Sequence, residues 1–325
     1  MTLSGKLSLA LILGSTALLP AAAMAQADWP TQPVRVIVPF GAGGAADTLA
    51  RLISDELSRT FGQQFVVENL TGAGGVIALS QLTQARPDGY TLGVNNISTT
   101  VIAPAINPNV TYDPETDFTY IAMLGGSPTV WVANPSVGVD SVEGLVEYAQ
   151  ASSTIPGYGS PGAGTLSHLI ALKYFDDIGL PMEHIAYGGA GAAFLDVVAG
   201  HIPLASGTLS TASPFIDAGQ VVPVVLSTEE RDPALPDVPT FAELGHPELT
   251  STTWFGFVGP ADLPEDIVEK LNTEINRILD LPTVQERLEP EGLVGDRMTA
   301  DEFAQYQADQ YALWGPIAAA AEIEQ

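Results

Sequence analysis

Four glycine-rich segments are the residues here whose type and spacing could do chemistry: 41–44, 72–75, 162–164 and 189–191. Glycine lets a ligand approach the backbone closely. A glycine loop that opens a helix also presents unpaired N–H groups at a partly positive terminus, which suits an anion. Tight strand-to-helix turns use glycine too, so one such loop names no function, while four together point to a shared site. Gly41-Ala-Gly43-Gly-Ala-Ala46 fits the G-x-G-x-x-A dinucleotide pattern, with Glu68 placed for a ribose hydroxyl. Pro39 and Phe40 stand between the preceding apolar run and the glycines, which weakens that reading. A nucleophile set is equally thin. The window Tyr158-Gly-Ser160-Pro-Gly162 lacks the first glycine of G-x-S-x-G, and Ser160, His168 and Asp196 share only a triad-like order. His184, His201 and His246 show no helical ligand spacing, so neither a metal nor a cofactor is expected.

Alternating strands and helices must position these loops. The β-branched run at 34–38 reads as a buried strand, followed by a helix for which Asp47 is the expected N-cap and Gly62 the stop. A second strand at 65–68 leads through the next glycine loop to a helix at 76–85, and a third strand spans 90–94. The middle of the chain repeats the scheme. Asp140 and Glu143 are expected to open a helix, strands are expected at 155–160 and 183–187, and each is followed by a glycine loop and a helix. Further strands are expected at 202–205, with Ser206 on the loop after it, at 221–226 and at 255–258. Amphipathic helices at 265–279 and 299–314 finish the chain. Such alternation predicts parallel sheets in an α/β fold, with ligands outside the carboxyl ends of the strands.

Composition narrows the partners. With 325 residues the chain is long enough for two lobes, and 46% hydrophobic residues supply a full core. A net charge of −27 would repel nucleic acid and anionic membrane. The absence of cysteine removes disulfides, thiolate ligands, thiol nucleophiles and a lipidated cysteine at once. Residues 1–25 read as a signal peptide: Lys6 closes a short basic region, 7–19 is apolar, and Ala23-Met24-Ala25 is a small-x-small cleavage site. Pro20 interrupts the apolar run before it reaches the roughly 20 residues that a membrane span needs. Export to the periplasm with cleavage after Ala25 is therefore expected, without stable membrane insertion.

The ordered motifs carry a resemblance. Val36-Ile-Val-Pro-Phe40 with Gly43, Gly44 and Asp47 is similar to the opening of the Bug-type receptors, the extracytoplasmic solute-binding components of tripartite tricarboxylate transporters. The similarity continues through Val67-Glu-Asn69, the 72–75 loop, 87–92, Tyr112-Asp-Pro114, and Ser160-x-Gly-x-Gly-Thr165 with His168. It runs on through Tyr187, Asp196, Gly200, 235–240, Trp254 and Leu271-Asn272. The resemblance implies a non-enzymatic, monomeric receptor with a type II-like periplasmic-binding-protein fold: two lobes, each a mostly parallel sheet flanked by helices, with a ligand cleft between them. It implies lobe 1 over 26–130 plus 252–325 and lobe 2 over 131–251. The partners it implies are a small carboxylate and the permease subunits of a membrane transporter. Ligand contacts carried over by motif are Phe40, Gly43, Gly44, Asp47, Ala73 and Gly74 from the first lobe, and Ser160, Gly164, Thr165, Tyr187 and Ser206 from the second.

Two departures bear on the ligand. Leu70-Thr71 stands where the family usually has Arg-Pro, and Gly188 where it usually has Lys. No Lys or Arg lies in the four loops, and Lys173 is the sole one between Arg86 and Arg231. A carboxylate would then be met by backbone N–H groups and by the hydroxyls of Ser160, Thr165 and Ser206. Hydrogen bonds to a charged group contribute about 1.5–3 kcal/mol each, enough for one or two carboxylates but a poor match for a third unpaired charge. A mono- or dicarboxylate is expected. The competing reading is a secreted α/β enzyme, a hydrolase or a dinucleotide-dependent one, acting on a similar acid.

Overall fold

The computed structural model describes residues 29–288, 292, 293, 295 and 297–321; the expected signal peptide lies outside them. The apolar run at its start forms β1 (Val34–Val38), buried at four of five positions. The 41–44 loop leads into α1 (Ala45–Phe61), which packs Leu49, Leu52, Ile53 and Leu57 inward. Burying each of these leucine or isoleucine side chains contributes about 1.5–3 kcal/mol. Gly62 ends the helix in the left-handed region at φ 68°, with its N–H donated to the Ser58 carbonyl. β2 (Phe65–Asn69), α2 (Val76–Leu82) and β3 (Thr91–Asn96) follow, and β1 lies parallel to both β2 and β3. A π-turn over Ser98–Ile102 continues into α3 (Ala103–Ile106).

β4 (Phe118–Ala133) is the element that joins the two halves. Its first part pairs antiparallel with β9 (Thr252–Pro260), and β9 in turn pairs antiparallel with β3. From Thr129 onward β4 pairs instead with β7 (Leu204–Thr208) and β8 (Val222–Leu226) of the second sheet. Between lie α4 (Val142–Ala151), β5 (Gly157–Ser160), α5 (Leu166–Asp177), β6 (Glu183–Ala186), α6 (Ala190–Val198) and α7 (Leu209–Asp217). β5 runs parallel to β6 and β7. The continuous strand order is β2-β1-β3-β9-β4-β7-β5-β6, with β8 beside β4. Each half is thus three parallel strands flanked by helices and crossed by antiparallel strands, the two-lobed α/β architecture of a periplasmic binding protein.

The chain closes with α8 (Glu265–Leu279), α9 (Pro282–Leu288) and α10 (Ala300–Ala320). Thr299 and Glu302 form a full capping box at the start of α10. Phe303 of α10 meets Trp254 and Tyr120 edge-on, tying the C-terminal helix onto the crossing strands.

Three local expectations are corrected. α1 begins at Ala45 with Gly44 as its N-cap, so Asp47 sits inside the first turn instead of capping it. Ser141, accepting from the Gly144 N–H, opens α4 in place of Asp140. Ser206 lies in the middle of β7, fully buried, because the strand runs three residues past the apolar 202–205 stretch.

Candidate functional site

The four glycine loops meet as two facing pairs. Gly41 donates its N–H to the Gly188 carbonyl at 2.8 Å, a backbone hydrogen bond from lobe to lobe. Gly74, at φ 62°, lies so close to the opposite loop that an added Cβ would stand 2.6 Å from the Ala163 carbonyl oxygen. The glycines therefore let the two lobes touch backbone to backbone, a demand beyond turn geometry. Two further hydrogen bonds cross the gap. Thr211 of α7 accepts the Ala45 N–H at the start of α1 at 3.1 Å, and Ser98 accepts the Leu166 N–H at the start of α5 at 3.0 Å. Each lobe thus caps a helix of the other, and the molecule is closed.

Inside the closure lies a cleft of about 420 Å³, including the part open to solvent. The N-termini of α1, α5, α6 and α7 all reach it, through Ala45, Thr165, Ala190 and Thr208. No Lys or Arg lines it. The positive ends of four helices supply a favourable field for an anion, each worth about 0.3–1 kcal/mol.

The structure distributes the sequence-derived candidates widely. Phe40, Gly44 and Thr165 line the cleft. Ala73, Gly74 and Tyr187 line an adjoining outer chamber. Gly43, within the first loop, and Asp47, behind it, line neither space. The Asp47 carboxylate accepts from the Gly43 N–H, the Arg51 guanidinium and the Asn69 amide, each at 2.9–3.0 Å. Asn69 also donates to the Phe40 carbonyl at 2.9 Å, so one network ties the ends of β1 and β2 to α1. Burial raises the Asp47 pKa, but the hydrogen bonds from Arg51, Gly43 and Asn69 outweigh it and hold the carboxyl below its ordinary value. Asp47 positions the loop.

The hydroxyls expected to meet a carboxylate are committed elsewhere. Thr165 donates to the Gly162 carbonyl at 2.8 Å and accepts the His168 N–H, as the N-cap of α5. Ser206 donates to the Ser167 carbonyl at 3.0 Å. Ser160 lies 2.7 Å from His184 Nε2 and 3.1 Å from the Gly162 carbonyl. His184 stacks on His168 with ring centroids 3.7 Å apart, and His168 Nδ1 accepts the Gly164 N–H at 3.1 Å. Burial, with the neighbouring His184 adding to it, pushes His168 down to about 3; burial alone pushes His184 down to about 4. Both rings are neutral at pH 7. No carboxylate bonds either imidazole among the described residues, and Asp196 pairs instead with Tyr187 and His201.

The polar groups that do face the cleft come from positions the sequence reading passed over. Ser98 accepts from Leu166, and its own proton has no acceptor among the described residues. Thr208 and Thr211 share one hydrogen bond at 2.8 Å, which leaves one hydroxyl proton to donate. Thr253 Oγ1 is buried without a partner, and Asn96 uses only its side-chain oxygen, on the Thr99 N–H. Together these are four neutral donors lining the cleft, three from the first lobe and one from the second. Asn96, Ser98 and Thr208 follow or end strands, where ligands of open sheets gather; without glycine they carried no mark. Thr253 lies on β9, too distant in sequence to associate with the loops.

Comparison with known proteins fits this geometry. The pattern described as "Tripartite tricarboxylate transporter family receptor" matches residues 49–323. The chain belongs to that receptor family. The receptor is 30% identical to Protein BugT of Bordetella pertussis, over 91% of each chain. Among solved structures it superposes on MatC from Rhodopseudomonas palustris with bound malate at TM-score 0.84 and 32% identity, covering 89% of this chain and 100% of the other. It also superposes on R. palustris Rpa4515 with adipate at TM-score 0.85 and 30% identity, covering 91% and 99%. Among the described residues of the receptor, no helix is long and apolar enough to cross a membrane.

Proposed function

We propose that this chain is a periplasmic receptor that captures a small mono- or dicarboxylate between its lobes and delivers it to the permease subunits of a tripartite tricarboxylate-type transporter. The observation that carries the reading is the cleft lining: four helix N-termini and four neutral donors, with no cation among the described residues. Three or four hydrogen bonds to a carboxylate at about 1.5–3 kcal/mol each offset the cost of immobilising a small ligand. A tricarboxylate would bring a third charge into a protein of net charge −27 with no partner for it. The malate and adipate bound to the similar proteins agree with this ligand class. No metal or cofactor takes part, the working unit is a monomer, and the chain is exported with cleavage after Ala25.

The Ser160–His184 contact does not favour the enzyme reading. Ser160 is fully buried, and among the described residues the imidazole has no carboxylate to orient it. Native mass spectrometry of protein freshly purified from the periplasm tests the proposal. A bound mass matching a small organic acid is expected; a sugar, a peptide or a metal ion in its place would overturn it. N-terminal sequencing of the same sample should begin at Gln26, and a full-length chain held in membranes would contradict export.

A further inference from the structure

The cleft is not the only space between the lobes. An outer chamber of about 590 Å³, including the part open to solvent, adjoins it and shares Phe40 and Pro161 as walls. The two spaces differ in chemistry. The four buried donors, on Asn96, Ser98, the Thr208–Thr211 pair and Thr253, line the inner cleft, and none of them lines the outer chamber. The chamber walls are Pro39, Ala73, Ala163, Ala186 and glycine backbone, with the ring of Tyr187 and, at an exposed rim position, the single hydroxyl of Thr71. The Tyr187 hydroxyl is bonded to Asp196 at 2.7 Å, so that residue offers only its aromatic body. No charged side chain lines the chamber. A charged group held there would lose water with at most the exposed Thr71 hydroxyl to meet it, whereas methylene groups would displace water from mainly apolar walls.

We infer that the ligand spans both spaces: its carboxylate sits on the inner donors, and an apolar chain passes between Phe40 and Pro161 into the outer chamber. The ligand class is a carboxylate with a chain of several methylenes or an equivalent apolar tail, in preference to a short hydroxy acid. This rests on the receptor reading above and narrows it. Thr253 supports the assignment of the polar end, since its residue is only 5% exposed and its Oγ1 has no partner. A ligand oxygen in the cleft would satisfy it.

Calorimetry with two straight-chain series, acetate to octanoate and succinate to suberate, tests the inference. Each buried methylene contributes about 0.8 kcal/mol, roughly fourfold in affinity. Affinity should therefore rise about fourfold per carbon over the first several carbons in the series that binds. Thr71→Trp and Ala186→Trp place bulk in the chamber from exposed positions, and each should abolish the rise. Thr253→Val should weaken every binding acid severalfold, whatever its length. Affinity that is flat or falling with length, or a rise that survives both tryptophan variants, would overturn the inference while leaving the receptor reading intact. Failure of every acid in both series to bind would overturn the receptor reading itself.

Discussion

Asp47 and the imidazole pair are single side chains that lie outside the cleft lining and hold the loops around it. Asp47 carries a negative charge beside the proposed anion site, and Arg51, Asn69 and the Gly43 N–H absorb it. Removing a partner from a buried hydrogen-bonded group costs about 1–3 kcal/mol. Asp47→Ala should therefore lower stability by that amount and weaken ligand affinity through the loosened 41–44 loop. Asp47→Asn, which keeps an acceptor for Gly43, should lose less of both; urea unfolding and calorimetry decide, and an equal loss in the two variants would contradict the positioning role. His168 and His184 give a pH signature. Their folded pKa values lie at about 3 and about 4, below the ordinary imidazole value near 6.5. The unfolded chain thus binds protons that the folded one refuses. The stability from neutral burial is full above about pH 6.5 and is lost as pH falls toward 4, by about 1.4 kcal/mol per pH unit for each ring. Unfolding free energy measured from pH 7 to 4.5 should show that slope, and His184→Asn should reduce it. An unchanged slope in the variant would remove the imidazoles from the account.

At the scale of elements, closure depends on backbone meeting backbone. A methyl group at Gly74 would meet the Ala163 carbonyl at 2.6 Å, from a φ that disfavours any side chain. Gly74→Ala should weaken ligand binding at least tenfold and leave the ligand-saturated protein expanded in small-angle scattering. Wild-type affinity and contraction in this variant would show that the loops need not touch. The first strand-to-helix unit was readable because β1 announces itself by an apolar β-branched run and α1 by its apolar face and its Gly62 stop. Phe40, Gly44 and Thr165, which line the cleft, came from the family motifs instead. β4 was not readable, because Gly125, Gly126 and Pro128 break its apolar run; they sit where the strand bends out of one sheet and into the other. The donors on Asn96, Ser98, Thr208, Thr211 and Thr253 come from strand ends without glycine and from a crossing strand. Only the assembled topology brings them together.

For the whole molecule, a net charge of −27 on 325 residues means substantial self-repulsion. Salt screens it over a Debye length of about 8–10 Å near physiological strength, so Tm should rise from low to molar NaCl. A flat or falling curve would show that the acidic surface serves solubility alone. The same negative field makes ligand capture without a cation the central claim, since the long-range potential opposes an anion and short-range donors must overcome it. Calorimetry of the receptor with mono-, di- and tricarboxylates, with and without EDTA, tests that claim most directly. Micromolar or tighter binding of a mono- or dicarboxylate that EDTA leaves unchanged is the predicted result. Citrate binding best, or binding that vanishes with EDTA, would contradict it.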